Sequence, residues 1–172
     1  MASLMENLMD ILEQENREYK VLLDLSMKKT RIIVANDIAA LSAITEEEQK
    51  QVDCINALDK QRAVAMQDIA NVMNMDVQTL KLGKLIEMLA GRPAEQRRLT
   101  EVKDALHETT QHMARINAQN KELLENALEL VEFDLNIVRG LKAAPETAEY
   151  NRGAVSAGNL MGVPSGRFDA KQ

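Results

Sequence analysis

Two histidines, one cysteine and one glycine-lysine pair are where this 172-residue chain could do chemistry. His107 and His112 stand five residues apart. On a helix that spacing turns them roughly 140° from each other, so they cannot readily share a metal. Asp104 and His107 have the three-residue spacing of a carboxylate–imidazole pair in di-iron bundles. That chemistry needs a second pair and two further carboxylates, and the sequence has no second pair. A histidine phosphotransfer bundle carries Lys-Gly close after its histidine. Here Glu108-Thr109-Thr110 follow His107, and Met113-Ala114-Arg115 follow His112. Both histidines read as solvated helix-face residues. Gly83-Lys84 has no Gly-rich loop before it to cradle a phosphate. Cys54 lies off the inward helical stripe and reads as an inert, partly buried thiol. Standing alone, it excludes an internal disulfide and fits a reducing compartment. No metal, no cofactor and no enzymatic activity are expected. The product of such a chain is a contact with another protein.

The elements that would position that contact are helices. Apolar residues make up 45% of the chain but aromatics only 2%, with ten Met, no Trp, seven Gly and three Pro. Leu, Ile, Ala and Met are good or tolerated helix formers, and Met adapts to irregular surfaces. A first periodic segment runs over 3–35, with Leu4, Leu8, Ile11, Leu12, Tyr19, Leu22, Leu23 and Ile33 in phase. Glu15, Ser26 and Lys29 interrupt its stripe. Asn36-Asp37 reads as a break and an N-cap. A second segment over 37–74 keeps Leu41, Val52, Ile55, Met66, Ile69 and Met73 in a heptad-like phase. The same phase carries Thr45, Glu48, Asp59 and Arg62 inward, and polar layers of that kind fix register. A short amphipathic helix is predicted over 77–90, closed by Gly91-Arg92-Pro93. The last helix is predicted over 93–140.

The fold class that follows is all-α: an elongated antiparallel bundle of three long helices with one short inserted helix and an irregular C-terminal tail. Residues 1–142 form the bundle and its client-binding surface. Residues 143–172, with the remaining Pro and four of the Gly, form a flexible or folded-back tail. The net charge of −6 argues against nucleic acid as a partner, because phosphate binding needs a basic face. The N-terminal stretch carries Glu6 and Asp10 and lacks a basic n-region, unlike a signal peptide. No stretch approaches the length of a membrane span, so no membrane insertion is expected. A cytoplasmic location follows.

The last helix has the surface that most resembles a site. With Ile116 at 0°, Leu123, Leu130 and Ile137 fall to one side, and Leu124, Leu128, Val131, Leu135 and Val138 to the other. The combined arc is roughly 180°, against the roughly 100° that meets a core. Asn117, Asn120 and Asp134 lie inside it, and buried amides must find partners. The arc needs a cover: the other bundle helices, a second copy of the chain in a homodimer, or a client helix.

The order of these features resembles the FlgN family of flagellar export chaperones, over nearly the whole chain. The similarity lies in the Asn36-Asp37 break followed by Leu41 and Thr45-Glu46-Glu47-Glu48-Gln49, and in Leu58 through Arg62 with Met66 and Ile69. It continues in Thr79-Leu80, in Asn117-Ala118-Gln119-Asn120 followed by Leu123-Leu124 and Leu128, in Tyr150-Asn151-Arg152-Gly153, and in Phe168-Asp169-Ala170-Lys171. One departure is Asn74-Met75, where a Gly is expected to close the second helix. The resemblance implies a cytoplasmic chaperone for flagellar hook-associated proteins, those of the hook–filament junction. It would hold their C-terminal helical segments, prevent premature assembly and deliver them to the type III export gate. The wide apolar arc, if it is not bundle core, assigns client binding to Asn117, Asn120, Leu123, Leu124, Leu128, Val131, Leu135 and Val138; the resemblance implies docking of Tyr150 to the gate's cytoplasmic domain. A different flagellar or type III secretion chaperone is the nearest rival. A self-associating structural or signalling helical bundle without a client is the rival from another class.

Overall fold

In the computed structural model, residues 2–143 are described, and four α-helices account for most of them. They are α1 (Ala2–Val34), α2 (Ile38–Val72), α3 (Leu82–Met88) and α4 (Pro93–Ala143). No strand occurs among the described residues. The all-α class and the sequence of three long helices with a short one inserted are as expected.

The helix ends follow from single residues. α1 closes on Asn36, which adopts the left-handed backbone (φ 55). The Asp37 amide then bonds back to the Ile32 carbonyl, the long closure of a helix C-terminus. Asp37 caps α2 by accepting the Ala40 amide at 2.9 Å. α2 closes in the same way. Asn74 takes φ 53, and the Met75 amide bonds to the Ala70 carbonyl at 2.9 Å. Asn tolerates this conformation better than most residues, so it does the work of the Gly expected there.

The predicted short helix over 77–90 is not continuous. Val77–Thr79 and Leu89–Gly91 are 3-10 turns flanking α3, and Leu80 and Lys81 between them are extended. Asp76 holds the first turn by accepting the Gln78 amide at 2.8 Å. The extended step turns Leu80 inward, where it is buried with Leu85 and Leu89. Burial of these three leucines outweighs the continuity of one amphipathic helix.

Residues Met1–Ala127 form one compact unit. Within it the side-chain bonds set helix direction. Residues 15, 18 and 26 of α1 meet residues 62, 51 and 48 of α2, so these helices are antiparallel. Residues 13, 16 and 30 of α1 meet residues 98, 109 and 120 of α4, so these run parallel. One core cluster joins Leu8, Leu12, Ala65, Ile69, Leu80, Leu85, Leu89 and Leu99. A second joins Leu22, Leu23, Ile55 and Met113.

The residues that interrupt the α1 stripe are the ones that meet the polar layers of α2. Ser26 donates to Glu48 Oε1 at 2.9 Å, and Lys29 donates to Glu48 Oε2 at 2.7 Å. Glu15 is 2% exposed and faces Arg62, whose Nε lies 3.4 Å from Glu15 Oε1. That contact is electrostatic only, because the oxygen accepts no well-aligned hydrogen bond among the described residues. Thr45, expected inward, is exposed; its hydroxyl bonds to the Leu41 carbonyl in its own helix.

Residues Leu128–Gln172 make a second unit. Its described part is the last stretch of α4. No helix among the described residues is long and apolar enough to cross a membrane.

Candidate partner-binding surface

α4 is one helix of 51 residues. Its first stretch carries core positions: Leu99 and Leu106 in one cluster, Met113 in the other, with Ile116 packed against the latter. Asn120 is the last buried residue along it. The Asn120 Oδ1 accepts from the Thr30 hydroxyl at 2.6 Å, and its Nδ2 donates to the Ser26 carbonyl at 2.9 Å. Both amide ends are thereby committed to α1. Asn117, three residues earlier, is exposed.

Leu123 and Leu124 are half-buried. From Leu128 to Lys142 every residue is exposed. That stretch contains eight large apolar side chains: Leu128, Leu130, Val131, Phe133, Leu135, Ile137, Val138 and Leu141. Leu128 is 63% exposed and Phe133 61%. Isolated exposed apolar residues are ordinary, and a run of this size is a candidate interaction surface.

The eight sort into two rows. At about 100° per residue, Leu128, Val131, Leu135 and Val138 fall within roughly 80° of each other, at the 3-4-3 spacing of a helix-pairing seam. Leu130, Phe133, Ile137 and Leu141 form a second row centred roughly 140° away. Glu129, Glu132 and Asn136 separate the rows on one side, and Asp134 on the other. Acidic residues occupy the earlier part of the stretch, and Arg139 and Lys142 the end.

The structure thus gathers Leu128, Val131, Leu135 and Val138 on one exposed row, puts Leu123 and Leu124 at its half-covered start, and commits Asn120 elsewhere. Phe133 and Leu141 belong to the exposed surface but not to the sequence-derived set. The signal for Phe133 was available: it is one of two Phe in the chain and stands three residues after Leu130. Tyr150 lies outside the described residues.

His107 is exposed and shares a 2.9 Å bond with the Gln111 amide nitrogen. No group of three His, Cys, Asp or Glu side chains converges among the described residues. Cys54, expected to be partly buried, is exposed. A cleft of about 270 Å³ opens beside Glu15, with Tyr19, Asp59, Arg62, Lys103 and His107 among its walls. Burial pushes the Glu15 carboxyl above the usual carboxylate range; Arg62 pulls the other way and Asp59 adds to the rise. Arg98 donates to Glu13 and Asp10, both at 2.7 Å. These bonds hold its guanidinium pKa above the ordinary value and tie the start of α4 to α1.

Two bare apolar rows on the last helix are a surface of the kind an amphipathic helix can cover. The family model described as FlgN protein matches residues 1–155, and the chain belongs to this family of flagellar export chaperones. FlgN chaperones bind flagellar hook-associated proteins. Neither the curated proteins nor the solved structures give a match.

Proposed function

We propose that this chain is a cytoplasmic chaperone for hook-associated proteins of the hook–filament junction, and that it holds their C-terminal helical segments on the Leu128–Val131–Leu135–Val138 row. The observation that carries the proposal is the unbroken exposure of Leu128 to Lys142 on a formed helix with eight large apolar side chains. A client helix with its own 3-4 apolar stripe would bury the row and lose its tendency to assemble early. Leu123 and Leu124 extend the row toward the bundle, and Asn117 offers an exposed amide near its start. Asn120, bonded to α1, serves the bundle and supports the surface indirectly.

Delivery to the export gate is assigned to Tyr150 and the segment around it. A tyrosine among small and polar residues supplies large contact area for few frozen torsions.

The test uses the purified chain and a purified hook-associated protein. Replacing Leu128 and Leu135 together with Ser should weaken binding by about a hundredfold, on the order of 1.5 kcal/mol for each buried side chain lost, with the melting temperature nearly unchanged. Normal binding by that variant would refute the assignment. Tyr150→Ala should bind the client normally and export it more slowly; a normal export rate would remove Tyr150 from the gate contact.

A further inference from the structure

The row assigned to the client has a second property. Counted as a heptad, Leu128 and Leu135 take the a positions, and Val131 and Val138 the d positions. Leu124 continues the phase one step earlier. Lys121 and Lys142 occupy the same phase at its two ends and bound it. Asp134 stands at one edge of the row and Arg139 at the other. They are roughly 140° apart around the helix, so they cannot bridge each other within one chain. Among the described residues neither makes an ion pair.

We propose that in the absence of a client this row packs in parallel against the same row of a second copy of the chain, with Asp134 of each copy facing Arg139 of the other. The proposal deepens the client reading, since both partners use one row. In a parallel seam, one edge of each helix faces the opposite edge of its neighbour, slightly further along, and charges there set partner and orientation. Asp134 and Arg139 have that relation, and two-fold symmetry makes the pair occur twice. An antiparallel seam brings like edges together, which sets Glu132 near Glu132 of the other copy and Asp134 near Asp134. Charge therefore selects the parallel pairing.

The pairing is weak by construction. The seam spans about two heptads, and β-branched residues at d suit a two-stranded parallel seam less well than Leu. A weak self-contact covers the apolar row and still yields to a client that covers it better. The second copy acts as a displaceable lid.

The test is sedimentation of the full chain with no client and with a reductant that keeps Cys54 free, over a range of concentrations at low salt. The expected result is a monomer–dimer equilibrium that weakens as salt rises. Asp134→Arg alone, and Arg139→Asp alone, should each raise the dimer dissociation constant by about tenfold, because two attractions become two repulsions. The double variant Asp134→Arg with Arg139→Asp should return it to near the starting value. Far-UV circular dichroism confirms that each variant stays helical. A monomer at every concentration overturns the proposal. So does a dimer indifferent to the single charge changes, or a double variant that fails to recover. Because no client is present, these outcomes are separate from failure of client binding by the Leu128 and Leu135 variant.

Discussion

Among single residues, Glu15 bears the clearest conflict between environment and chemistry. Its side chain is buried, with Arg62 at 3.4 Å and no well-aligned bond to Oε1 among the described residues. Its folded pKa is raised above the ordinary 4.5 chiefly by burial. The folded chain therefore holds this proton more tightly than the unfolded chain does. Stability from that proton is fully present below the unfolded value and is lost as pH rises through the folded value. Glu15→Gln, which carries no charge to bury, should be more stable than the natural chain at pH 7.5, by up to about 2 kcal/mol. The gap should close as pH falls toward 4.5. Melting temperatures of both proteins across that range check this; a constant gap would mean that Glu15 stays ionised throughout. The sequence shows Glu15 interrupting an apolar stripe and Arg62 inside another, but it cannot show that the two meet. Their pairing depends on the offset between antiparallel helices, which no local pattern fixes. Asn120 is a similar case. Its place in an apolar arc is legible, while its use of Thr30 and Ser26, ninety or more positions away, is not.

Among elements, α4 is two things on one axis. Leu99 is fully buried in the core, whereas Leu128 is mostly exposed, although both stand at apolar positions of the same helix. Leu99→Ala should cost roughly 2–5 kcal/mol of stability. Leu128→Ala should change stability by no more than about 0.5 kcal/mol. Chemical denaturation of the two variants separates the roles, and equal costs would show that the Leu128 row is core. The helix ends are largely legible, because Asp37, Gly91 and Pro93 punctuate the chain by known backbone chemistry. Where packing stops along α4 is not. Leu124 and Leu128 share residue type and phase, and only the reach of neighbouring helices distinguishes them. α1 and α2 have 33 and 35 residues against 51 for α4, and Leu124 and Leu128 fall in different units. The broken 77–91 connection also escapes a periodicity argument, because its extended step at Leu80 and Lys81 answers to tertiary burial.

For the whole molecule, the division at Ala127 and Leu128 predicts two tiers of stability. Amides around Leu8–Leu12, Ala65–Ala70 and Leu99–Leu106 lie in the packed core. They should exchange with solvent only at rates approaching those of global unfolding. Amides from Leu128 to Lys142, on a helix with every side chain exposed, should exchange orders of magnitude faster. Hydrogen exchange read by mass spectrometry tests this, and equal protection in both regions would contradict it. Addition of client should slow exchange in the second tier and leave the first unchanged. The all-α class is legible at this scale from composition together with the helical period of the apolar residues. The family is legible from the order of short motifs along the chain.

The uninterrupted backbone of α4 has a consequence for how fast a partner can be captured. A free segment of about fifteen residues is a marginal helix in water, because its first turn must form before any later turn can profit. Here that turn already exists upstream in 93–127, and each residue from Leu128 onward merely extends it. An arriving helix therefore meets a surface whose nucleation step was completed during folding.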